Sequence, residues 1–366
     1  MNKRTKIILG IIGAFVIIGV IITVVIVVVK KKNNDKDKRK NPIIIDNNDT
    51  TTNTSDNNNE NNESDNDDNN TNYNSLFKIS DKFANLNNGI KMPILGLGTW
   101  TLSISEAEES VYNAIKTGFR LIDTAEYYGN EKGVGKGVKK CIQEGIIKRE
   151  DIFITSKIMP GAYSNPDLAI EDSLKNLDMD YIDLMLIHQP GSNDEKVYKS
   201  MEKYYNLGKL KSIGISNYYT KNQVDKVLSY ASIIPAIIQN ENHIYYQNNE
   251  LQEYVKKYNI IIESWYPFGG RGHTDENFNN EVITRLANKY KKTSAQIIIR
   301  WHLQAGYIVI PGSKNAEHIK DNYNVFDFEL SSDDMAEIYK INKKRYESYD
   351  KLLINILFNS NIDNIN

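Results

Sequence analysis

An acid, a phenol, an amine and an imidazole fall at the ends of short apolar runs in this chain: Asp123 and Tyr128, Lys157, and His188. A free phenol, with a pKa near 10, is a poor acid at neutral pH. A Lys ammonium within hydrogen-bond reach stabilises the phenolate and lowers that pKa, and an Asp paired to the Lys keeps the cation in place. A His with an available N–H can orient a carbonyl oxygen over the phenol. The set suits polarising and protonating a carbonyl while hydride arrives at carbon. Ser216 and Asn217, Gln239 and Glu241, and Trp265 end further runs. Metal hydrolysis fits less well, because the five His (188, 243, 273, 302, 318) form no H-E-x-x-H pair, and no G-x-S-x-G elbow marks a nucleophilic Ser. Each residue taken singly has a plainer reading. A Tyr in a chain with 23 Tyr is more often packing, Asp123 and Lys157 can be structural ion-pair members, His188 a satisfied core histidine and Trp265 a core aromatic. Their coincidence at strand ends is what favours chemistry.

The elements that must position them are β-branched runs at 94–100, 120–126, 151–158, 182–189, 210–217, 236–243, 260–267 and 307–313. Successive starts lie about 24–31 residues apart, with a longer last gap, which is the spacing of βα units. Runs such as IDLMLIH and IIIESW are apolar on both faces, as parallel strands covered by helices require. The stretches 106–117 and 167–176 have helical spacing and open near Ser, Asp or Pro. Eight such units predict an α/β fold of the (β/α)8 TIM-barrel type, in which catalysis gathers at the C-terminal ends of the strands. Asn88-Gly89 predicts a hairpin across one end of the barrel. The glycines of GNEKGVGKG (129–137) fit neither G-x-G-x-x-G nor G-x-x-x-x-G-K-[ST], and 269–272 is only a Gly-rich loop after a strand.

Longer motifs carry a resemblance. G-F-R-x-I-D-T-A-x-x-Y-G-N-E (118–131), Ser156-Lys157, D-Y-I-D-L-x-L-I-H (180–188), G-K-L-K-S-I-G-I-S-N (208–217), V-I-P-G-S (309–313) and V-F-D-F-E-L-S (325–331) closely resemble the aldo-keto reductase family, in order from about residue 86 to 341. The resemblance implies a monomeric, NAD(P)H-dependent carbonyl reductase with a catalytic tetrad of Asp123, Tyr128, Lys157 and His188, in which Tyr128 rather than Tyr127 is the general acid. It assigns Ser216, Asn217 and Gln239 to the nicotinamide carboxamide, Trp265 to stacking on the ring and Trp100 to the substrate pocket. The 267–307 region corresponds to a loop that closes over the pyrophosphate. Gln189 after the His is similar to the branch of microbial and protist prostaglandin F synthase-like and diketogluconate reductase-like enzymes. At the adenine ribose, Ser313 and Asn322 are kept, but Gly312 and His318 stand where the family usually has a Lys and an Arg for the 2′-phosphate. The loss of those charge-assisted bonds leaves NADPH, NADH or dual use open, with Lys314 able to compensate. No metal is expected.

The whole chain has 366 residues, 45 Lys+Arg against 47 Asp+Glu and a net charge of −2, a field too weak to point to nucleic acid. The single Cys141 excludes an intrachain disulfide framework. Mean hydropathy is −0.50, but that average conceals three zones. Residues 7–29 carry no charge, and a helix of that length spans about 35 Å, enough for a bilayer core. Residues 30–75 are first basic, then rich in Asn and Asp, and read as a disordered linker. Residues 76–366 form the barrel domain. The Lys and Arg after residue 29 outnumber those before it, favouring a single-pass protein with a cytosolic catalytic domain. N-x-S/T triplets at Asn48, Asn53, Asn62 and Asn69 keep a lumenal or extracellular, glycosylated alternative open. The expected partners are a small carbonyl substrate and the lipid bilayer. The competing functional reading is a non-catalytic, cofactor-sensing subunit of a membrane complex, like the potassium-channel β subunits.

Overall fold

Asn88-Gly89 turns the chain as its sequence requires: Gly89 adopts φ +83°, which a side chain would strain, and its N–H closes on the Leu86 carbonyl at 2.9 Å. In the computed structural model, which describes residues 77–343 apart from 271, this turn joins β1 (Phe83–Asn85) to β2 (Lys91–Pro93) as an antiparallel pair. Asn87 and Asn88 reach from the turn to the backbone of Pro235 and Lys211, just before the sixth run and at the start of the fifth. The hairpin therefore lies across the N-terminal end of the main sheet, opposite the end where a barrel does its chemistry.

Each of the eight expected runs contains one strand of a single parallel sheet. In chain and sheet order these are β3 (Leu97–Gly98), β4 (Leu121–Asp123), β5 (Phe153–Ile158), β6 (Ile182–Ile187), β7 (Leu210–Ser216), β8 (Ile237–Glu241), β9 (Ile261–Trp265) and β10 (Ile308–Val309). β3 and β10 are much shorter than the runs that contain them. Their flanks pair through isolated parallel bridges, Leu95 with Val309 and Gly98 with Gly312, supported by Gly96 N–H to the Val309 carbonyl at 2.9 Å. These contacts join the last strand to the first in the (β/α)8 manner. β5 is buried at every position and β6 at all but Asp183, matching strands that are covered on both faces.

Around the sheet run α1 (Ile104–Thr117), α2 (Glu131–Gln143), α3 (Pro166–Leu177), α4 (Asp194–Asn206), α5 (Lys221–Tyr230) and α6 (Asn249–Val255). The long gap before β10 holds α7 (Thr274–Phe278), α8 (Glu281–Tyr290) and α9 (Ser294–Gln304), and α10 (Ala316–Tyr323) and α11 (Ser332–Lys340) follow it. α1 opens on a reciprocal cap, in which Ser103 Oγ accepts from Glu106 N–H and the Glu106 carboxylate accepts from Ser103 N–H. The glycines of 129–137 that lie within α2 are packing devices: a Cβ on Gly133 would lie 2.1 Å from the Ile104 carbonyl oxygen, and one on Gly135 2.2 Å from that of Leu177. Only bare backbone lets α2 approach its neighbours so closely.

The expected membrane span at 7–29 and the linker at 30–75 lie outside the described residues, as does the chain beyond 343. Among the described residues, no helix is long and apolar enough to cross a membrane.

Candidate active site

Asp123 ends β4, and the turn that follows, Glu126–Tyr128, closes on Gly129 at φ +65° and brings Tyr128 back over the sheet. Lys157 lies on β5, beside β4, and is wholly buried. Its ammonium donates to Asp123 Oδ1 at 2.6 Å, to the Thr124 carbonyl at 2.9 Å and to the Tyr128 hydroxyl at 3.2 Å. Tyr128 rather than Tyr127 makes this contact; Tyr127 stacks instead on Trp100, with ring centroids 5.7 Å apart. His188 follows β6, and its ring meets that of Tyr128 edge-on at 5.7 Å. Acid, phenol, amine and imidazole thus converge from three adjacent strands.

Burial dominates the electrostatics. His188 is held well below the usual imidazole pKa, first by loss of water and then by the Lys157 charge, so the ring is neutral at pH 7. Its Nδ1 is buried without a hydrogen-bond partner. Burial likewise raises the Asp123 pKa, with Lys157 and Gln239 acting against it. Tyr128 departs from the expectation that Lys157 would lower its pKa: the phenol is raised well above 10, by burial first and then by the negative charge of Asp123. The ammonium is shared with a carboxylate 2.6 Å away, so the phenol faces a nearly neutral pair rather than a bare cation. Tyr128 is consequently a protonated donor at neutral pH.

The residues expected to hold a nicotinamide flank this cluster. Ser216 and Gln239 are cross-strand partners on β7 and β8, and Trp265 ends β9 with its indole N–H buried and unpartnered. Gln239 Nε2 donates to Asp123 Oδ2 at 2.7 Å and to Glu263 Oε2 at 2.8 Å. Asn217, at φ +66°, uses its amide N–H on the His188 carbonyl at 2.9 Å and accepts from Tyr219 through Oδ1, so it anchors the His188 backbone as well. A hydroxyl, an amide carbonyl and a flat indole on neighbouring strand ends fit a carboxamide-bearing ring. Trp100 lies over Tyr128, centroids 4.8 Å apart, at the outer side of the cluster. Glu241 turns away from the cluster toward His243, at 3.2 Å.

Ser313, Lys314, His318 and Asn322 gather separately, after β10. Asn315 caps α10 by accepting from Glu317 and His318 N–H, which places exposed His318 in the first turn and buried Asn322 one turn further along. Lys314 is already ion-paired with Glu106 Oε1 on α1 at 2.9 Å. This end therefore fits a 2′-phosphate less well than the mouth fits the ring.

Three participants escaped the sequence reading. Glu263 stands two residues before Trp265, hence on the same face of β9, and an acid inside an apolar strand was the available signal. Tyr266, at φ +50°, accepts from the Trp100 indole at 3.0 Å and so ties the loops after β3 and β9 together. Glu106 gave no sequence signal beyond its capping role.

A parallel (β/α)8-type sheet with a buried Lys–Asp pair beneath a tyrosine at the C-terminal strand ends defines a barrel enzyme suited to proton transfer. Residues 94–343 match the Aldo/keto reductase family, and the chain belongs to it and is an oxidoreductase. It is 38% identical over 295 residues to NAD(P)H-dependent D-xylose reductase I,II of Candida tropicalis, covering 70% of this chain and 91% of that one. It is 42% identical over 262 residues to glyoxal reductase of Bacillus subtilis (strain 168), covering 70% and 92%. Among solved structures, a Bombyx mori aldo-keto reductase in complex with NADP is 33% identical, with a TM-score of 0.67, covering 72% of this chain and 94% of that one.

Proposed function

We propose that this chain reduces small aldehydes or ketones to alcohols with NAD(P)H, from a membrane-tethered position with the barrel facing the cytosol. The observation that carries the reading is the Tyr128 hydroxyl, 3.2 Å from a buried ammonium that is itself paired to Asp123 at 2.6 Å, beside a neutral His188. A bound nicotinamide would supply hydride to the carbonyl carbon. Ser216, Asn217 and Gln239 would hold its carboxamide, Trp265 its ring face, and Ser313, Lys314, His318 and Asn322 the adenine ribose. Neutral His188 orients the carbonyl oxygen by hydrogen bonding, and Tyr128 gives its proton to that oxygen. The phenolate so formed is stabilised by the Lys157 ammonium, while Asp123 holds the ammonium in place. Trp100 and Tyr266, joined by a hydrogen bond, close one side of the mouth. NADPH is the expected cofactor, with NADH use kept open by Gly312 and His318.

The test is Tyr128→Phe. Carbonyl turnover is expected to fall by about a hundredfold or more, the scale of a lost general acid, with dinucleotide binding retained. Full turnover in that protein would remove Tyr128 from the role.

A further inference from the structure

Glu263 is wholly buried inside the barrel. Its Oε2 accepts from Gln239 Nε2, whereas its Oε1 is buried with no hydrogen-bond partner. The same Gln239 nitrogen also donates to Asp123 Oδ2. An amide carries two N–H donors at one end and a bare carbonyl at the other. Two carboxyl groups on the nitrogen use both donors, and the flipped amide would set its carbonyl against Asp123 Oδ2 and withdraw both N–H groups from these partners. Oε1 of Gln239 is then the end left for a ligand. Without Glu263, one N–H would lose its partner and a single bond would hold the amide.

We propose that Glu263 is a positioning residue of the active site, fixing the Gln239 amide so that its carbonyl oxygen is presented to an N–H of a bound carboxamide. This rests on the nicotinamide reading above and deepens it: the preference for a donor group at that point of the ligand ring comes from a carboxyl that touches neither ligand nor substrate. Burial, and then the charge of Asp123, push the Glu263 pKa up to about 8, so it is mostly protonated at neutral pH. A proton on the unpartnered Oε1 leaves Oε2 able to accept. The charged and titratable groups around it are Asp123, Lys157 and Tyr128, which leaves the cluster close to neutral.

Full-length wild-type, Glu263→Gln, Glu263→Met and Gln239→Met proteins are titrated with oxidised NADP and with its acetylpyridine analogue, read by quenching of tryptophan fluorescence. A methyl replaces the amide nitrogen in the analogue, so it offers no N–H. Wild type is expected to prefer the natural dinucleotide about tenfold, the scale of one hydrogen bond. Glu263→Gln, which still offers a carbonyl to the Gln239 N–H, keeps that preference. Glu263→Met loses most of it while still binding both dinucleotides, and Gln239→Met loses it as well. Preference retained in Glu263→Met overturns the proposal. Should that variant not fold, preference retained in Gln239→Met or lost in Glu263→Gln overturns it equally. Wild type that binds neither dinucleotide overturns the nicotinamide reading itself, and this role with it.

Discussion

Lys314, proposed above to face the adenine ribose, has its charge already engaged by Glu106. Its bond holds the Glu106 carboxyl down to about 2, with help from Ser103, so the carboxylate stays ionised over the whole working range. A 2′-phosphate must share Lys314 with that carboxylate, whereas a ribose 2′-hydroxyl can donate to it. Glu106→Gln keeps an acceptor for Ser103 N–H and removes the charge. The ratio of kcat/KM for NADPH over NADH is expected to rise several-fold; an unchanged ratio would clear Glu106 of any part in the choice. The exposed pair is easily released, so a complete reversal is not expected. Glu263 carries a second prediction. Its pKa rises from about 4.5 to about 8 on folding, so the folded state binds the extra proton between those values. Stability therefore falls as pH rises from about 5 to 8 and then levels, by an amount on the order of a few kcal/mol. Glu263→Gln should flatten that slope in urea titrations across this range. Asp123, Tyr128, Lys157 and His188 are legible in the sequence because each ends, or closely follows, an apolar run. Glu263 is not, since its meaning depends on Gln239 from the next strand. The direction of the Tyr128 pKa is not legible either, because the sequence names its neighbours but not its loss of water.

At the scale of elements, eight alternating units are readable because strand and helix periods differ, and each predicted run contains its strand. The lengths of β3 and β10 are not readable: their apolar flanks look like strand but pair through isolated bridges. Of the 129–137 glycines, Gly133, Gly135 and Gly137 serve the contacts of α2 with α1 and α3, and Gly129 closes the turn that carries Tyr128. Gly135→Ala tests this. Alanine alone improves a helix by about 1 kcal/mol, but here its Cβ would meet the Leu177 carbonyl oxygen at 2.2 Å, and backbone cannot swing aside as a side-chain tip can. The expected net effect is a loss on the order of 1–3 kcal/mol, read from the urea midpoint. Stabilisation would show that α2 has slack against its neighbour.

For the whole molecule, the barrel domain accounts for the enzyme, and the proposed span at 7–29 for its place in the cell. Full-length protein should stay with membranes through alkaline carbonate washing, and release into the supernatant would remove the anchor. The seam between β10 and β3 has a consequence of its own. Few backbone bonds hold it, and the loops that leave it lead to Trp100 on one side and to Ser313 and Lys314 on the other. A long ligand touching both loops would act as a staple across the joint where the ring is thinnest. Loading the enzyme would then slow deuterium uptake at the Gly96 and Val309 amides more than at the amides of β6, so the cofactor would serve as the hoop that keeps the barrel round.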